Sequence, residues 1–390
     1  MPWELTSVIE ERIRLVLTYL AREAGMTVLC RRYGVSRKTA YKWVKQYREE
    51  GLAGLDDRSR TPRSGSHWTR VSTRDLIVGM RKEHPRWGGA KIIARLRQLR
   101  PRRRWPSAST ANDLLRRAGL VKPRRRRTHW PNAAQRSPDA TRSNEVWTTD
   151  FKGQFRTGDG RYCYPLTVAD VYSRFLFACT ALLSVGFESA WPVFENLFRM
   201  YGLPDAIHHD NGEPFVSPAS MGGISRLMVK FIRLGIRIGR SRPGHPEDNG
   251  KHERMHRTLK EDATMPPGAD CHAQQLKLDA FQLEFNHERP HQALGQRQPA
   301  RVYRRSRRPY PSVIPEIEYP ESFTVRRVHS HGDINWKGRR LFTSEVLTGE
   351  RIGIVNDEGT SLLYFGPMLL GYLNEKLWKI LPTESMKQNT

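Results

Sequence analysis

Cysteine is scarce in this sequence, and its placement suggests no structural role. The four cysteines, Cys30, Cys163, Cys179 and Cys271, are scattered over 390 residues. No CxxC pair and no Cys/His cluster has the spacing of a zinc site. The pattern therefore indicates reduced cysteines in a cytoplasmic protein and excludes a zinc-stabilised module.

Long apolar runs and basic amphipathic anchors are also missing, which excludes an obvious membrane attachment. The first twenty residues, MPWELTSVIEERIRLVLTYL, are acidic early and helical in their period, so we expect no secretory signal. Acidic residues are outnumbered, since 66 Lys and Arg against 40 Asp and Glu give a formal net charge of +26. This excess, without a membrane signal, indicates a polyanionic partner.

A helix-turn-helix pattern occupies the first part of the chain. In MTVLCRRYGVSRKTAYKWVKQYREE, Thr27 suits the N-cap of a short helix, Gly34 suits the turn, and Ser36 suits the cap of a second, basic helix over 37–49. The predicted DNA-binding residues on that second helix are Arg37, Lys38, Thr39, Lys42 and Lys45. The alternative is an ordinary helical hairpin with a solvated basic face.

The rest of the chain divides by composition into further domains. We predict a helix-turn-helix domain over 1–58, a linker over 59–74 and a second helix-turn-helix-like DNA-binding domain over 75–128, with its third helix capped by Ser107 or Ser109. A linker over 129–143 leads to a mixed α/β domain over 144–304, which begins with the strands VWTTDF, RYCYPLTVAD and RFLFACTALL. A basic, proline-rich linker over 305–321, a small all-β barrel over 322–376 and a tail over 377–390 complete the predicted order.

Three carboxylates of the α/β domain stand in unusual places. Asp150 lies inside a predicted strand, Asp210 ends a strand before Asn211-Gly212, and Glu253 lies in the first turns of a helix. Taken singly, they fit an edge-strand charge, a turn residue and a helix-dipole partner. Taken together they would repel one another unless divalent cations neutralised them, and oxygen ligands favour Mg²⁺ or Mn²⁺. Two such ions can activate an attacking oxygen and stabilise the leaving oxygen of a phosphodiester.

The arrangement resembles the DDE transposases and retroviral-type integrases, and in particular bacterial insertion-sequence transposases. The resemblance rests on NEVWTTDFKG, TVADVYSR, HHDNGEPF, NGKHERMHRTLK and NHERPHQALGQRQPARVY in that order, and on the helix-turn-helix with GLAGLDDRSRTPR. The C-terminal GDINWKGRRLFTSEVLTGERIGI resembles the small β-barrel of Mu-type transposases. The resemblance implies an RNase H-like core and a metal-binding catalytic triad of Asp150, Asp210 and Glu253 that holds one or two Mg²⁺ (or Mn²⁺) ions.

The function that the resemblance implies is transposition. The expected partners are the terminal inverted repeats of the element and the target DNA, and the expected assembly is a homodimer or higher homo-oligomer on DNA in the bacterial cytoplasm, associated with the nucleoid. The alternatives are a DNA-binding regulator that has lost catalysis and an RNase H-type nuclease without strand transfer. The intact triad argues against the first alternative, and the flanking DNA-binding domains argue against the second.

Further expectations concern the surroundings of the triad. His209 is expected to be a satisfied strand-end histidine, whereas Asp170 and Glu247 are expected to be structural or supporting rather than metal ligands. An inserted segment is expected around SMGGISRLMVKF. The helix of Glu253 should be capped by Asp248 or Asn249, contain Gly250 in its first turn, and present His256, Arg257 and Lys260 to DNA phosphates along the face of Glu253.

Overall fold

The computed structural model describes residues 7–57, 69–121, 139–217, 220–241, 250–357 and 359–382. The chain forms two compact units, Met1–Arg70 and Val71–Thr390. Within the described ranges, none of the helices combines the length and apolar character needed to cross a bilayer.

The first unit is a three-helix domain. Its helices are α1 (Val8–Leu20), α2 (Met26–Tyr33) and α3 (Arg37–Glu50), followed by a 3₁₀ turn over Gly51–Leu55. Gly34 ends α2 in the left-handed region, with φ of 63°, where a glycine carries no steric penalty. The buried core consists of Leu15, Val16, Met26, Leu29, Ala40, Val44 and Leu55. The predicted helix-turn-helix is thus confirmed.

The two predicted caps of this unit had different outcomes. Ser36 caps α3 as predicted, since its hydroxyl accepts a hydrogen bond from the Thr39 N–H at 3.2 Å. The prediction for Thr27 is wrong: Gly25 is the N-cap, so Thr27 lies inside the first turn of α2. Its hydroxyl instead accepts a hydrogen bond from the Arg37 guanidinium, which ties the start of α3 to α2.

The second unit begins with three more helices, α4 (Val71–Glu83), α5 (Gly89–Leu99) and α6 (Ala108–Arg117). They pack around a core that includes Trp87, Ile92 and Leu115. Ser107 caps α6, which confirms one of the two predicted caps. Helix α4 starts inside the segment 59–74 that was predicted as a linker. Its early Ser72 and Thr73 look like linker residues, but both hydroxyls accept hydrogen bonds from Arg103.

The centre of this unit is a six-stranded mixed sheet in the order β2-β3-β1-β5-β6, with β4 paired to β3. The pairs β1–β3 and β3–β4 are antiparallel, whereas β1–β5 and β5–β6 are parallel. This order confirms the predicted α/β core. The strands are β1 (Val146–Phe151), β2 (Phe155–Arg156), β3 (Tyr162–Asp170), β4 (Leu176–Leu182), β5 (Ala206–His209) and β6 (Arg237–Arg240).

Helices cover both faces of the sheet. One buried cluster joins Trp147, Leu166 and Ile207 of the sheet to α7 (Phe187–Tyr201) and α8 (Arg226–Arg233). A second cluster joins Leu176 and Cys179 to α9 (Gly250–Ala263) and α10 (Cys271–Leu283). Helix α10 continues into a π-helical turn over Glu284–Glu288, and the short helix α11 spans Pro299–Val302.

The segment SMGGISRLMVKF, where an insertion relative to the retroviral branch is expected, carries a core helix, and the insertion itself stays a prediction. This segment contains α8, which connects the parallel strands β5 and β6. Parallel neighbours need a crossover connection, and Leu227 and Phe231 of this helix are fully buried in the core. The segment is therefore an integral part of the fold.

The last region is a small all-β domain, as predicted. A five-stranded antiparallel sheet in the order β13-β12-β11-β10-β7 and the hairpin β8–β9 share one apolar core, which also receives Ile224, Met228 and Ile232 from the α8 region. Strand β13 lies in the segment 377–390 that was predicted as a tail, because Ile380 and Leu381 pair with β12. The strands are β7 (Thr324–Arg327), β8 (Asp333–Trp336), β9 (Arg339–Phe342), β10 (Arg351–Asp357), β11 (Thr360–Phe365), β12 (Met368–Asn374) and β13 (Lys379–Leu381).

Candidate active site and DNA-binding surfaces

Asp150 and Asp210 are brought side by side by the parallel pairing of β1 and β5. The register pairs Thr149 with His209, so each carboxylate follows directly after a paired residue. Neighbouring strands lie about 4.8 Å apart, and successive side chains alternate between faces. Trp147 and Ile207 point to the face of α7 and α8, and the alternation then assigns both aspartates to the opposite face, which α9 covers.

Helix α9 is held against this face by two buried histidines, His252 and His256, that the sequence analysis did not recognise as anchors. The Thr167 hydroxyl on β3 lies 2.6 Å from Nε2 of His252 and 2.7 Å from Nε2 of His256. Nδ1 of His252 lies 2.9 Å from the Thr148 hydroxyl on β1. These four side chains, called the histidine–threonine hub below, fix the start of α9 and therefore the backbone of Glu253, one residue after His252.

The hub also determines the protonation pattern of the histidines. The Thr167 hydroxyl donates its proton to the backbone carbonyl of Asp150 at 3.0 Å, so it accepts hydrogen bonds from both Nε2–H groups. Burial lowers the pKa of His252 to about 3 and the pKa of His256 well below its usual value, so both rings are neutral. Nδ1 of His256 then faces Oδ2 of Asp150, at 3.6 Å, as an acceptor.

The charge environment of Asp150 reflects the other two carboxylates. Burial, as the largest cause, and the negative charges of Asp210 and Glu253 together raise its pKa to about 7. The Phe151 N–H and the Lys152 ammonium act in the opposite direction. Side chains from β1, the end of β5 and α9 thus interact electrostatically, and their oxygens are the ligand type that Mg²⁺ prefers. In the described ranges, no three His, Cys, Asp or Glu side chains are arranged so that they could hold a metal ion.

A basic ridge follows Glu253 along the exposed side of α9, with one correction to the prediction. Arg257 and Lys260 are exposed, as the ridge requires. The prediction that His256 belongs to the ridge is wrong, since its side chain is buried in the hub and cannot contact a phosphate. Lys152, which the sequence analysis did not include, lies near this ridge. Burial is the largest cause that lowers the pKa of Lys152, and the positive charge of Lys260 is the next. The position of Lys152 two residues after Asp150, just beyond the end of β1, was the available signal.

On the first unit, the predicted DNA-binding residues share the outer side of α3. Lys38, Lys42 and Lys45 are exposed, and Lys45 makes only a loose pair with Glu49 at 3.7 Å. Arg37 is exposed too, although its guanidinium also binds Thr27. Thr39 is half-buried and serves the Ser36 cap, so it is the least available of the five. Contact with DNA remains a prediction for all of them.

Asp170 and His209, which the sequence predicts to have structural roles, both make contacts within the fold. The buried Asp170 accepts hydrogen bonds from the N–H groups of Asn144, at 2.8 Å, and Ser173, at 2.7 Å, which confirms its structural role. His209 is buried and stacks on Phe215, with ring centroids 5.2 Å apart. Its Nδ1 contacts the Asp210 carbonyl, but its Nε2 has no hydrogen-bond partner among the described residues, so it is only partly satisfied.

Of the helix start predicted for α9, only Gly250 lies within the described residues. Gly250 is the first residue of α9, as predicted. Glu247, Asp248 and Asn249 lie outside the described residues.

Comparison with protein-family models assigns both kinds of domain. A helix-turn-helix domain matches residues 11–63, and a homeodomain-like domain matches residues 39–115. Two integrase core domain models match residues 140–246 and 234–299. The matched cores together cover the whole sheet and α9.

Curated relatives match only in part. The Gag-Pol polyprotein of baboon endogenous virus (strain M7) is 32% identical over 127 residues, which is 32% of this chain and 7% of the relative. The Pol polyprotein of feline endogenous virus ECE1 is 32% identical over 136 residues, which is 34% of this chain and 12% of the relative. The chain thus matches a small part of the length of these polyproteins.

The solved structures that match this chain include two of viral origin. The HTLV-2 integrase catalytic core domain in complex with magnesium has 13% identity and a TM-score of 0.34, and the match covers 43% of this chain and all of that one. An intasome of simian T-cell lymphotropic virus has 14% identity and a TM-score of 0.36, and the match covers 75% of this chain and 97% of that one.

Proposed function

Because this chain belongs to the retroviral-integrase-like superfamily, with helix-turn-helix domains ahead of its integrase core, we propose that it is a DDE transposase. In this proposal it binds the ends of an insertion element and performs metal-dependent DNA cleavage and strand transfer in the bacterial cytoplasm, in association with the nucleoid. Its partners are the terminal inverted repeats and the target DNA, which it engages as a homodimer or higher homo-oligomer.

The observation that supports the proposal best is the strand register that sets Asp150 beside Asp210 at one edge of the sheet, where the first turn of α9 adds Glu253. Asp150 carries a raised pKa because it is buried and because Asp210 and Glu253 add negative charge. A structural role would be served better by one carboxylate with hydrogen-bond donors around it, as at Asp170. Three repelling carboxylates on a basic protein are the arrangement that a divalent cation stabilises.

Three groups of residues would have separate roles in the reaction. Asp150, Asp210 and Glu253 would hold one or two Mg²⁺ or Mn²⁺ ions, which supply activation of the attacking oxygen and stabilisation of the leaving oxygen. The hub sets the position of Glu253 relative to Asp150 through α9. Arg257, Lys260 and Lys152 would bind the phosphates on either side of the scissile bond, and α3 would hold the element end.

The test uses purified full-length protein and labelled DNA that contains the sequences flanking its own gene. Wild-type protein should cleave the ends and join them to a target in Mg²⁺ and should do neither with a chelator. Asp150→Asn, Asp210→Asn and Glu253→Gln should each lose both reactions and keep end binding. Asp113→Asn on the exposed side of α6 removes one carboxylate elsewhere and should act like wild type.

The same assay separates the alternatives. Specific end binding without any reaction in Mg²⁺ or Mn²⁺ would favour a regulator that has lost catalysis. Cleavage without joining, and without preference for the ends, would favour an RNase H-type nuclease. Full strand transfer by Asp210→Asn would refute the assignment of the triad.

A further inference from the structure

A basic cavity lies on the side of α9 away from the ridge. Its volume is about 270 Å³, and it lies between α5, the turn from β3 to β4, α9 and the segment that follows α10. Two sequence motifs without a role in the triad meet here: TVADVYSR supplies Arg174, and NHERPHQALGQRQPARVY supplies Arg289 and His291. The cationic side chains that line the cavity are Lys91, Arg174, Lys251, Arg254 and Arg289.

Two of these five cations already have acidic partners. Arg289 pairs with Asp262 at 3.3 Å and with Glu284 at 3.6 Å. Lys251 pairs with Asp139 at 3.0 Å.

The other three, Lys91, Arg174 and Arg254, have no side-chain hydrogen bond or ion pair within the described part of the chain. The acid that lines the cavity, Asp170, is largely occupied by the donors of Asn144 and Ser173. Among the described residues, these three cations therefore have no directly paired acid in a partly enclosed space.

The cations are close enough to repel one another. Burial and then the charge of Arg289 lower the pKa of Lys91 to about 8, against the opposing charges of Glu284 and Asp262. Burial also lowers the pKa of Arg174, where Asp170 opposes the shift and Arg254 adds to it. Arg174 is held in the left-handed region, with φ of 63°, which is unfavourable for a non-glycine residue. An anion in the cavity would relieve this repulsion.

The other residues that line the cavity could also contact an apolar or aromatic group attached to the anion. Met255, Phe285 and Val171 supply apolar surface, and the His291 ring stands edge to face against Phe285 with centroids 4.6 Å apart. The cavity would hold about nine waters, which is more space than one phosphate fills. Cations beside an aromatic and apolar floor are the features that bind an unpaired nucleotide by phosphate and base together.

We propose that this cavity binds a nucleotide of the DNA substrate, with its phosphate on Lys91, Arg174 and Arg254. The inference rests on the proposed function, because it takes DNA as the substrate. Thr148 and His252 line the cavity and also belong to the hub, so the cavity adjoins the carboxylate site without sharing its carboxylates. A strand that crosses α9 would have one phosphate at the carboxylates and another nucleotide here.

The first test is a footprint of lysine reactivity on the full chain. A lysine with a pKa near 8 reacts readily with an amine-acylating reagent at neutral pH. The probe is a duplex with a single-stranded extension, without divalent cations, and acylation of each lysine is read by mass spectrometry. We expect the DNA to reduce acylation of Lys91 at least threefold. In the double variant Arg174→Gln/Arg254→Gln, this protection should be lost while that of Lys42 persists.

The second test is the salt dependence of binding to the same DNA. Arg254→Gln should reduce the slope of log K against log salt by about one, as expected for one lost phosphate contact. Arg226→Gln is the matched control, since Arg226 is exposed on α8 at the opposite face of the sheet and pairs with Glu188 at 2.9 Å. It should leave the slope unchanged.

Each outcome decides between distinct ideas. Protection of Lys42 without protection of Lys91, or an unchanged slope in Arg254→Gln, overturns the cavity site and leaves the proposed function intact. Absence of protection at both lysines counts against the proposed function itself. If inorganic phosphate at the same phosphate concentration protects Lys91 as well as DNA does, the site binds a free anion and the assignment to a DNA nucleotide is wrong.

Discussion

At the scale of single residues, the buried carboxyl of Asp150 makes stability depend on pH. Its pKa is about 7 in the folded protein against an ordinary value of 3.8, so between these values the folded state binds the proton more tightly. The stabilising proton is present at low pH and is lost as pH rises through 7. We predict that Asp150→Asn stabilises the metal-free protein, by an amount that grows from pH 5 to pH 7 by up to about 1.4 kcal/mol per pH unit.

Thermal and urea unfolding without divalent cations would measure this difference. Mg²⁺ should raise the Tm of the wild-type protein at pH 8 and should have little effect on the variant, because binding to the folded state alone stabilises it. A difference between the two proteins that does not change with pH would show that the pKa of Asp150 is not raised in the folded protein.

Thr167 is the second residue for which the structure gives a direct prediction. Thr167→Val keeps the shape but removes the oxygen that accepts from both His252 and His256. A buried donor left without a partner costs about 1–3 kcal/mol. We expect Thr167→Val to be destabilised by that order and to cleave DNA at least tenfold more slowly at a temperature where it remains folded.

Thr167→Ser keeps the hydroxyl and is the matched control, so it should restore the cleavage rate even where it does not restore all of the stability. The comparison of rates at equal folded fraction separates positioning from simple loss of structure. Cleavage at the wild-type rate by Thr167→Val would show that Glu253 does not depend on the hub.

At the scale of elements, α9 shows what a sequence pattern can and cannot provide. Spacing alone placed Glu253, His256 and Arg257 on one side of a helix. On a helix, the side chains three and four residues after Glu253 point to opposite sides of the direction of Glu253. Only the position of the sheet decides which of these two side chains is buried. The hydroxyl of Thr167, which is distant in sequence, accepts a hydrogen bond from His256, whereas Arg257 is exposed to solvent.

The exposed ridge of α9 carries the next prediction. Arg257→Ala and Lys260→Ala should each lower strand joining several-fold, because a phosphate contact near the scissile bond is lost. The Tm should change by less than about 2 °C, since surface substitutions usually alter stability by no more than about 0.5 kcal/mol. Joining at the wild-type rate in both variants would remove the ridge from the mechanism even if Glu253 remains a metal ligand.

Helix α3 carries a parallel prediction for recognition of the element ends. Lys42→Ala should weaken end binding, by about 1–3 kcal/mol if Lys42 contacts a base and with a salt slope lower by about one if it contacts a phosphate. Glu49→Gln removes the partner of Lys45 at the other end of the helix and serves as a control that should not weaken binding. Equal affinity of Lys42→Ala for the ends and for unrelated DNA would confirm a base contact.

Much of the architecture follows from local patterns, whereas the site depends on distant pairing. Alternation and helical spacing were sufficient for β1, β3, β4, α7 and α3. They could not supply the register that sets Asp150 beside Asp210, nor the five separate segments that line the basic cavity. Strand β13 was missed because a short strand is defined by its partner β12 rather than by its own three residues.

At the scale of the whole molecule, the three helices α4–α6 are integrated with the α/β core. The indole N–H of Trp87 donates to Glu284 at 3.0 Å, and the Arg86 guanidinium binds both Glu261 and Asp262. Residues 71–390 accordingly form one compact unit, although the sequence suggested a separate domain over 75–128. Lys91 of α5 reaches the basic cavity by this docking.

This division of the molecule leads to the last prediction. A protein without residues 1–70 should keep the core clusters of the second unit, since the buried residues of the first unit pack among themselves. It should unfold at nearly the same Tm as that unit does in the full chain. It should also retain Mg²⁺-dependent cleavage of unrelated DNA, because the three carboxylates, the hub and the ridge all remain. Its affinity for the element ends should fall to its affinity for unrelated DNA at 150 mM salt. Competition binding with both DNAs measures this ratio, and retention of end preference would assign recognition to α4–α6 instead of α3.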